Sequence, residues 1–297
     1  MRRGLLLGVI ISVIAITGCK KDKLEPNPDT GAPVLTGLIS YDADTEFTDL
    51  DNLTPQDRVL LMQEFTGVYC YTCPLAHYIT SDLIQMYPNR IAAMNIHSHF
   101  YSIYDDPNVM GNLYDFRTED GDSMVSMLGG VMSVPSAAFN MKLLAGEANI
   151  TSNARDNWMG YASNELSTPP KVNIEMATSF DNSTRNVKIV VKYHALEDLN
   201  ENLYHSIAIV ENDIIDKQFV DTAVVNDYHH MHIFRDMVTD AKADFIGITP
   251  TQGQVFIKVF NYTIPAEWNE NNIDVISYVH QKDANWNVYQ TSIKQIQ

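Results

Sequence analysis

The chain has 297 residues, 45% of them apolar, which excludes a disordered protein and leaves room for two domains with cores of their own. Its 37 acidic against 20 basic residues give a net charge of −17, and no Lys/Arg-rich run follows the first three residues. Nothing here attracts a phosphate backbone, so nucleic acid is excluded as a partner.

The opening stretch, MRRGLLLGVIISVIAITGC, carries two arginines, an uncharged run from Gly4 to Gly18 and then Cys19. It reads as a secretory signal; as a helix the run would reach about 22 Å, short of a hydrocarbon core of about 30 Å. Ile16-Thr17-Gly18-Cys19 resembles the lipobox of bacterial lipoproteins. The resemblance implies cleavage after residue 18, acylation of Cys19 and a membrane tether in the cell envelope, where acyl chains contribute about 0.8 kcal/mol per buried methylene. Residues 19–33 are polar and Pro-rich after the cysteine and read as a flexible stalk.

From 34 to 167 the elements alternate. Val59–Phe65 is an apolar run of strand length, Leu75–Met86 places Leu75, Tyr78, Ile79, Leu83 and Met86 at helical spacing, and Ile91–Ile96 is a second strand. A parallel strand-helix-strand unit follows, in an α/β domain. Pro135–Asn140 reads as a later strand and Thr151–Leu166 as a closing helix with a Thr/Ser cap. At LSTPP, residues 166–170, the pattern breaks. Residues 168–297 then alternate apolar and polar positions, with a hairpin at Asp181-Asn182-Ser183, and read as an antiparallel, Ig-like β-sandwich.

If Cys19 is in lipid, Cys70 and Cys73 are the remaining thiols, and on the exported side of a membrane such a pair can persist as a disulfide. Cys70-Tyr71-Thr72-Cys73 falls where the first strand ends and the helix begins, with Pro74 suited to the first helical turn. Unpaired N–H groups and the positive end of the dipole there stabilise a thiolate. Cys70 is the expected attacking sulfur and Cys73 the resolving one.

At these residues the chain resembles the thioredoxin-like fold. That resemblance implies a proton-accepting acid six positions before the first cysteine, which is Glu64, and a cis-proline opposite the dithiol, which Pro135 in Val134-Pro135-Ser136 matches. Tyr69 in place of the usual Trp, the central Tyr-Thr pair and about twenty extra residues before the proline depart from the pattern. The whole layout, including His230-Met231-His232-Ile233-Phe234-Arg235, resembles the outer membrane protein 28-related lipoproteins of Gram-negative bacteria. This resemblance implies an envelope or surface location and transfers no settled biochemical activity, so the dithiol carries the functional argument alone.

Two functions remain. One is a lipid-anchored thiol-disulfide oxidoreductase acting on protein thiols or disulfides through Cys70, Cys73, Glu64 and Pro135, with no cofactor beyond the Cys70–Cys73 pair. The other is a surface binding or adhesion protein, with a structural disulfide, meeting protein or glycan ligands. No metal is expected: there is no second CxxC, and His77, His97 and His99 would complete a set only if the fold gathered them. His97 and His99 are expected on one strand face, and His229, His230 and His232 as loop residues around a core-facing Met231. Asp115, Glu119, Asp120 and Asp122 read as a solvated acidic loop.

Overall fold

The computed structural model describes residues 37–282 and 286–296. The signal, the stalk and Cys19 lie outside the described residues. In chain order the elements are β1 (Thr45–Thr48), β2 (Leu60–Phe65), α1 (Cys73–Met86), β3 (Ile91–Ile96), α2 (Pro107–Met110), α3 (Glu119–Met127), β4 (Ser136–Phe139) and α4 (Trp158–Leu166). Strands then dominate: β5 (Val172–Asp181), β6 (Asn186–Ala195), β7 (Leu203–Glu211), β8 (Ile214–Val220), β9 (Ala223–His230), β10 (Ile233–Met237), β11 (Asp244–Gly247), β12 (Gln254–Thr263), β13 (Ile273–His280) and β14 (Val288–Gln295). The α/β part thus precedes a β-rich part.

β2 and β3 pair in parallel, as a strand-helix-strand unit requires, and β4 adds antiparallel to the other edge of β2. Every residue of β2 and β3 is buried, so neither open edge of this sheet could face water cheaply. β10 covers the edge of β3 with a parallel register at Ile233 and Asn95, while the Asn95 N–H and side-chain amide donate to the carbonyls of His232 (2.7 Å) and Met231 (2.8 Å). Beyond β10 the sheet continues through β7, β13 and β14. One eight-stranded mixed sheet, in which β11 also pairs with β7, therefore crosses the boundary expected at 167/168. The second sheet, β1-β12-β6-β5, is antiparallel and recruits β1 from well before that boundary.

Alternation along each strand sorts the side chains into layers. Leu60 and Met62 face α1 and α4 in a core with Leu83, Phe139 and Trp158. Leu61, Phe65, Met94 and Ile96 face the opposite way, into a core shared with α3 and with Val210, Phe234, Ile276 and Tyr278 from the C-terminal strands. Ile207, Ile209 and Val275 pack against Val187, Val191 and Phe256 of the four-stranded sheet. Phe234 sits at the joint between the two parts and is almost fully buried. Phe234→Ala is expected to lower unfolding stability by about 3–5 kcal/mol, measured by denaturant titration; a loss under about 1 kcal/mol would show that the joint does not carry a common core.

Two local expectations change. The helix expected from Thr151 begins at Trp158, because Thr151-Ser152 is drawn out along β4: Ala137 and Ser152 exchange backbone hydrogen bonds of 2.9 and 2.8 Å. His229 and His230 lie on β9 rather than in a loop, and the register turns His230 inward while Met231 is exposed. An inward Tyr228 and His230 at period two explain why the apolar Met231 is the outward residue.

Candidate active site

β2 delivers Glu64 and Phe65, the chain turns through Thr66–Thr72, and α1 starts at Cys73 with Pro74 in its first turn. Cys70 and Cys73 form a disulfide. Cys73 is buried on the face of α1 that also holds Ala76, Thr80 and Leu83, whereas Cys70 is partly exposed. An incoming sulfur can approach Cys70 alone. Cys70 lines a cleft of 190 Å³ with Tyr69, Tyr101, Tyr104 and Val134, and the cis bond Val134–Pro135 brings β4 to the same cleft.

No motif or spacing marks what covers the other side of the dithiol loop. The β8–β9 hairpin, paired from Ile214 with His230 to Val220 with Ala223, lies against it. Phe219 N–H donates to the Val68 carbonyl at 2.8 Å, and the buried Gln218 amide donates to the carbonyls of Gly67 and Cys70, each at 3.3 Å. The exposed Tyr69 ring stacks on Phe219 with centroids 4.8 Å apart. Residues 98–116, within the expected insertion, pack beside the hairpin: buried Asp216 accepts from the N–H groups of Leu113 and Tyr114 at 2.9 Å. Gln218 and Asp216 carry no motif, so a reading of types and spacings had no handle on them.

Glu64 is fully buried in β2. Its Oε2 accepts from the Thr80 hydroxyl at 2.6 Å, while Oε1 has no hydrogen-bond partner among the described residues. Burial pushes the carboxyl up to about 8, opposed in part by the Thr80 bond. Because Cys73 and Thr80 share one face of α1, Glu64 lies beneath the same face as the resolving sulfur. His77 Nε2 approaches Glu64 Oε1 to 3.5 Å and bonds Thr66 Oγ1 at 2.9 Å; its Nδ1 bonds the Tyr228 hydroxyl at 2.7 Å. Burial, with His230, His97 and His232 nearby, lowers His77 to about 3, so the ring is neutral.

The remaining histidines disperse. His97, one residue past β3, bonds buried Asp105, whose Oδ1 also accepts from Val68 N–H at 2.8 Å. His99 is exposed and bonds Asp122 at 2.9 Å, so the two do not share a strand face. His99, Glu119 and Asp122 have ligand atoms within 4.8 Å of one another, yet Asp122 already accepts from Ser98 Oγ and His99 N–H. Glu119, Asp120 and Asp122 occupy the first turn of α3, where the dipole favours carboxylates, and Asp115 pairs with Arg117. A larger hollow of 660 Å³ beside Lys142 and Glu165 contains neither cysteine nor histidine.

A family model described as "Outer membrane protein Omp28" matches residues 127–297. Pro135 and the hairpin fall inside that span; Glu64, Cys70 and Cys73 fall before it. Among solved structures, HBP35 of Porphyromonas gingivalis is similar with a TM-score of 0.64 at 15% identity, covering 81% of this chain and 76% of that one. That is a likeness of fold. A domain of the outer membrane lipoprotein Omp28 from the same organism matches loosely, with a TM-score of 0.31 at 15% identity over 43% of this chain and 88% of that one. No curated protein matches in sequence. Among the described residues no helix is long and apolar enough to cross a membrane.

Proposed function

The chain belongs to the Omp28 outer membrane protein family, and from that premise we propose that it is an envelope protein, tethered by lipid at Cys19, whose thioredoxin-like part performs thiol-disulfide exchange. One observation carries the reading: a disulfide at the start of α1 with Cys70 open to a cleft, Cys73 buried, and the buried Glu64 bonded to Thr80 on the same helix face. A bond meant only as a staple gains nothing from one accessible sulfur.

In the exchange a substrate thiolate attacks Cys70 Sγ, the Cys70–Cys73 bond breaks and its electron pair goes to Cys73. Glu64, protonated near neutral pH, supplies the proton to Cys73. The second substrate thiolate then attacks the substrate sulfur of the mixed disulfide and Cys70 leaves. The substrate dithiol is oxidised by two electrons and the protein pair is reduced; the reverse sequence reduces a substrate disulfide. Pro135, at the entry to β4 beside the cleft, borders the path of an extended substrate backbone. The β-rich part supplies the hairpin that roofs the loop.

Titration in glutathione buffers with thiol alkylation tests this. A midpoint between about −120 and −270 mV is expected. A pair still oxidised below about −300 mV would be a structural staple, and the reading would fall.

A further inference from the structure

Glu64 is enclosed on all sides, so a proton it gives to Cys73 has to be replaced along a defined route. The structure offers one. From Glu64 Oε1 the next polar atom outward is His77 Nε2 at 3.5 Å; across the ring, His77 Nδ1 meets the Tyr228 hydroxyl at 2.7 Å. Tyr228 is half-buried, and its neighbours Asp227 and His229 are exposed. The residues come from β2, α1 and β9, so the path exists only because the hairpin closes over the dithiol loop.

We propose that His77 and Tyr228 form a proton path that recharges Glu64 from solvent during thiol-disulfide exchange. The proposal rests on the exchange reading above and adds residues to it. In the tautomer with its proton on Nε2, His77 gives that proton to the Glu64 carboxylate after Glu64 has protonated Cys73. Nδ1 takes the Tyr228 phenolic proton, and Tyr228 takes one from water. When Cys73 is next deprotonated, the same shifts run backwards and restore the first tautomer, so charge is never left on the ring. A neutral imidazole is what such a shuttle needs, and burial keeps it neutral. The groups around the ring do not compete for the role: His230 is also held neutral by burial, at about 4, and bonds the Lys217 carbonyl. His232 is lowered to about 4, His97 is engaged by Asp105, and the Tyr78 ring is exposed. Thr66 Oγ1, which bonds Nε2 at 2.9 Å, holds the ring in place between the two partners.

Tyr228→Phe removes the hydroxyl and keeps the ring that packs on His230 at 4.9 Å. The experiment is stopped-flow reduction of the oxidised protein by dithiothreitol from pH 6 to 9, with the reduction potential and thermal midpoint measured on the same samples. The expected result is reduction slowed about tenfold below pH 8, a modest share of the 10²–10⁴ that positioned acid-base groups contribute, with potential and midpoint unchanged. His77→Gln, which cannot pass a proton, should slow it at least as much. A Tyr228→Phe rate within twofold of the parent would overturn the path. So would a potential that moves together with the rate, because a path changes how fast protons move and not where the equilibrium lies. If the parent itself fails to exchange with dithiothreitol, the exchange reading falls first and the path with it.

Discussion

Cys73→Ser is expected to convert the protein into a trap: the Cys70 thiolate attacks a substrate disulfide, one substrate sulfur leaves as thiolate, the other stays bound to Cys70 as a mixed disulfide, and nothing on α1 releases it. Cys70→Ser is expected to bring exchange down to the uncatalysed rate, since Cys73, the remaining sulfur of the pair, is buried at the start of α1. The two variants differ because exposure differs, not because the residues differ. The fold should survive both changes. The disulfide closes a loop with a sequence separation of 3, for which chain entropy gives about 2 kcal/mol, while α1 remains fixed by Ala76 and Leu83 in the core. Non-reducing gels and mass spectrometry after incubation with two peptides joined by a disulfide check the trap. Equal labelling of both variants would show that access to Cys70 and Cys73 is symmetric and would contradict the geometry.

Acid lability is the second large effect. His205, His230 and His280 are each almost fully enclosed, and burial lowers them to about 3, 4 and 4. A histidine whose folded value lies below its unfolded value of about 6.5 takes up a proton on unfolding, so stability is present above that value and lost as pH falls toward the folded one. At pH 5 each contributes a loss of about 2 kcal/mol, together about 6 kcal/mol, against a typical total of about 5–15 kcal/mol. Glu64 acts with the opposite sign. Its folded value, about 8, exceeds the usual carboxyl value, so it favours the folded state as pH falls, by roughly the amount of one histidine over the same interval. His77 and His232, also lowered, add to the acid loss. The expected denaturation midpoint therefore rises from pH 4 to about 6.5 and then levels or declines slightly as Glu64 is forced to ionise. His205→Gln should remove about a third of the three-histidine slope. A midpoint flat from pH 4 to 7 would refute the account.

The strand-helix-strand unit was legible because apolar runs of strand length flanked a helical spacing, and Pro74 marked where the helix could start. Glu64 became visible through its offset from Cys70 in a resembling fold, and its burial follows from the all-buried pattern of β2. The hairpin was not legible. β9 carries mostly exposed residues, with only Tyr228 and His230 turned inward at its end, so its alternation is too polar to separate from a loop. The joint between β3 and β10 has no local signature at all: it depends on residues 95 and 233 meeting, and no window along the chain contains both. The same distance hid the pairing of His77 with Tyr228.

The roof over the dithiol also has a timetable. Tyr228 follows His77 by 151 residues, which at about 5–20 residues per second of synthesis is roughly 8–30 s. Throughout that interval the nascent chain presents an uncovered edge at β3 and a pair of cysteines without the contacts of Gln218 and Phe219. Wrong sulfur partners and strand additions compete during those seconds and not afterwards. Any helper that protects this protein has its work before β8, β9 and β10 have emerged, and variants that loosen the hairpin should lower yield more than they lower the activity of molecules that do mature.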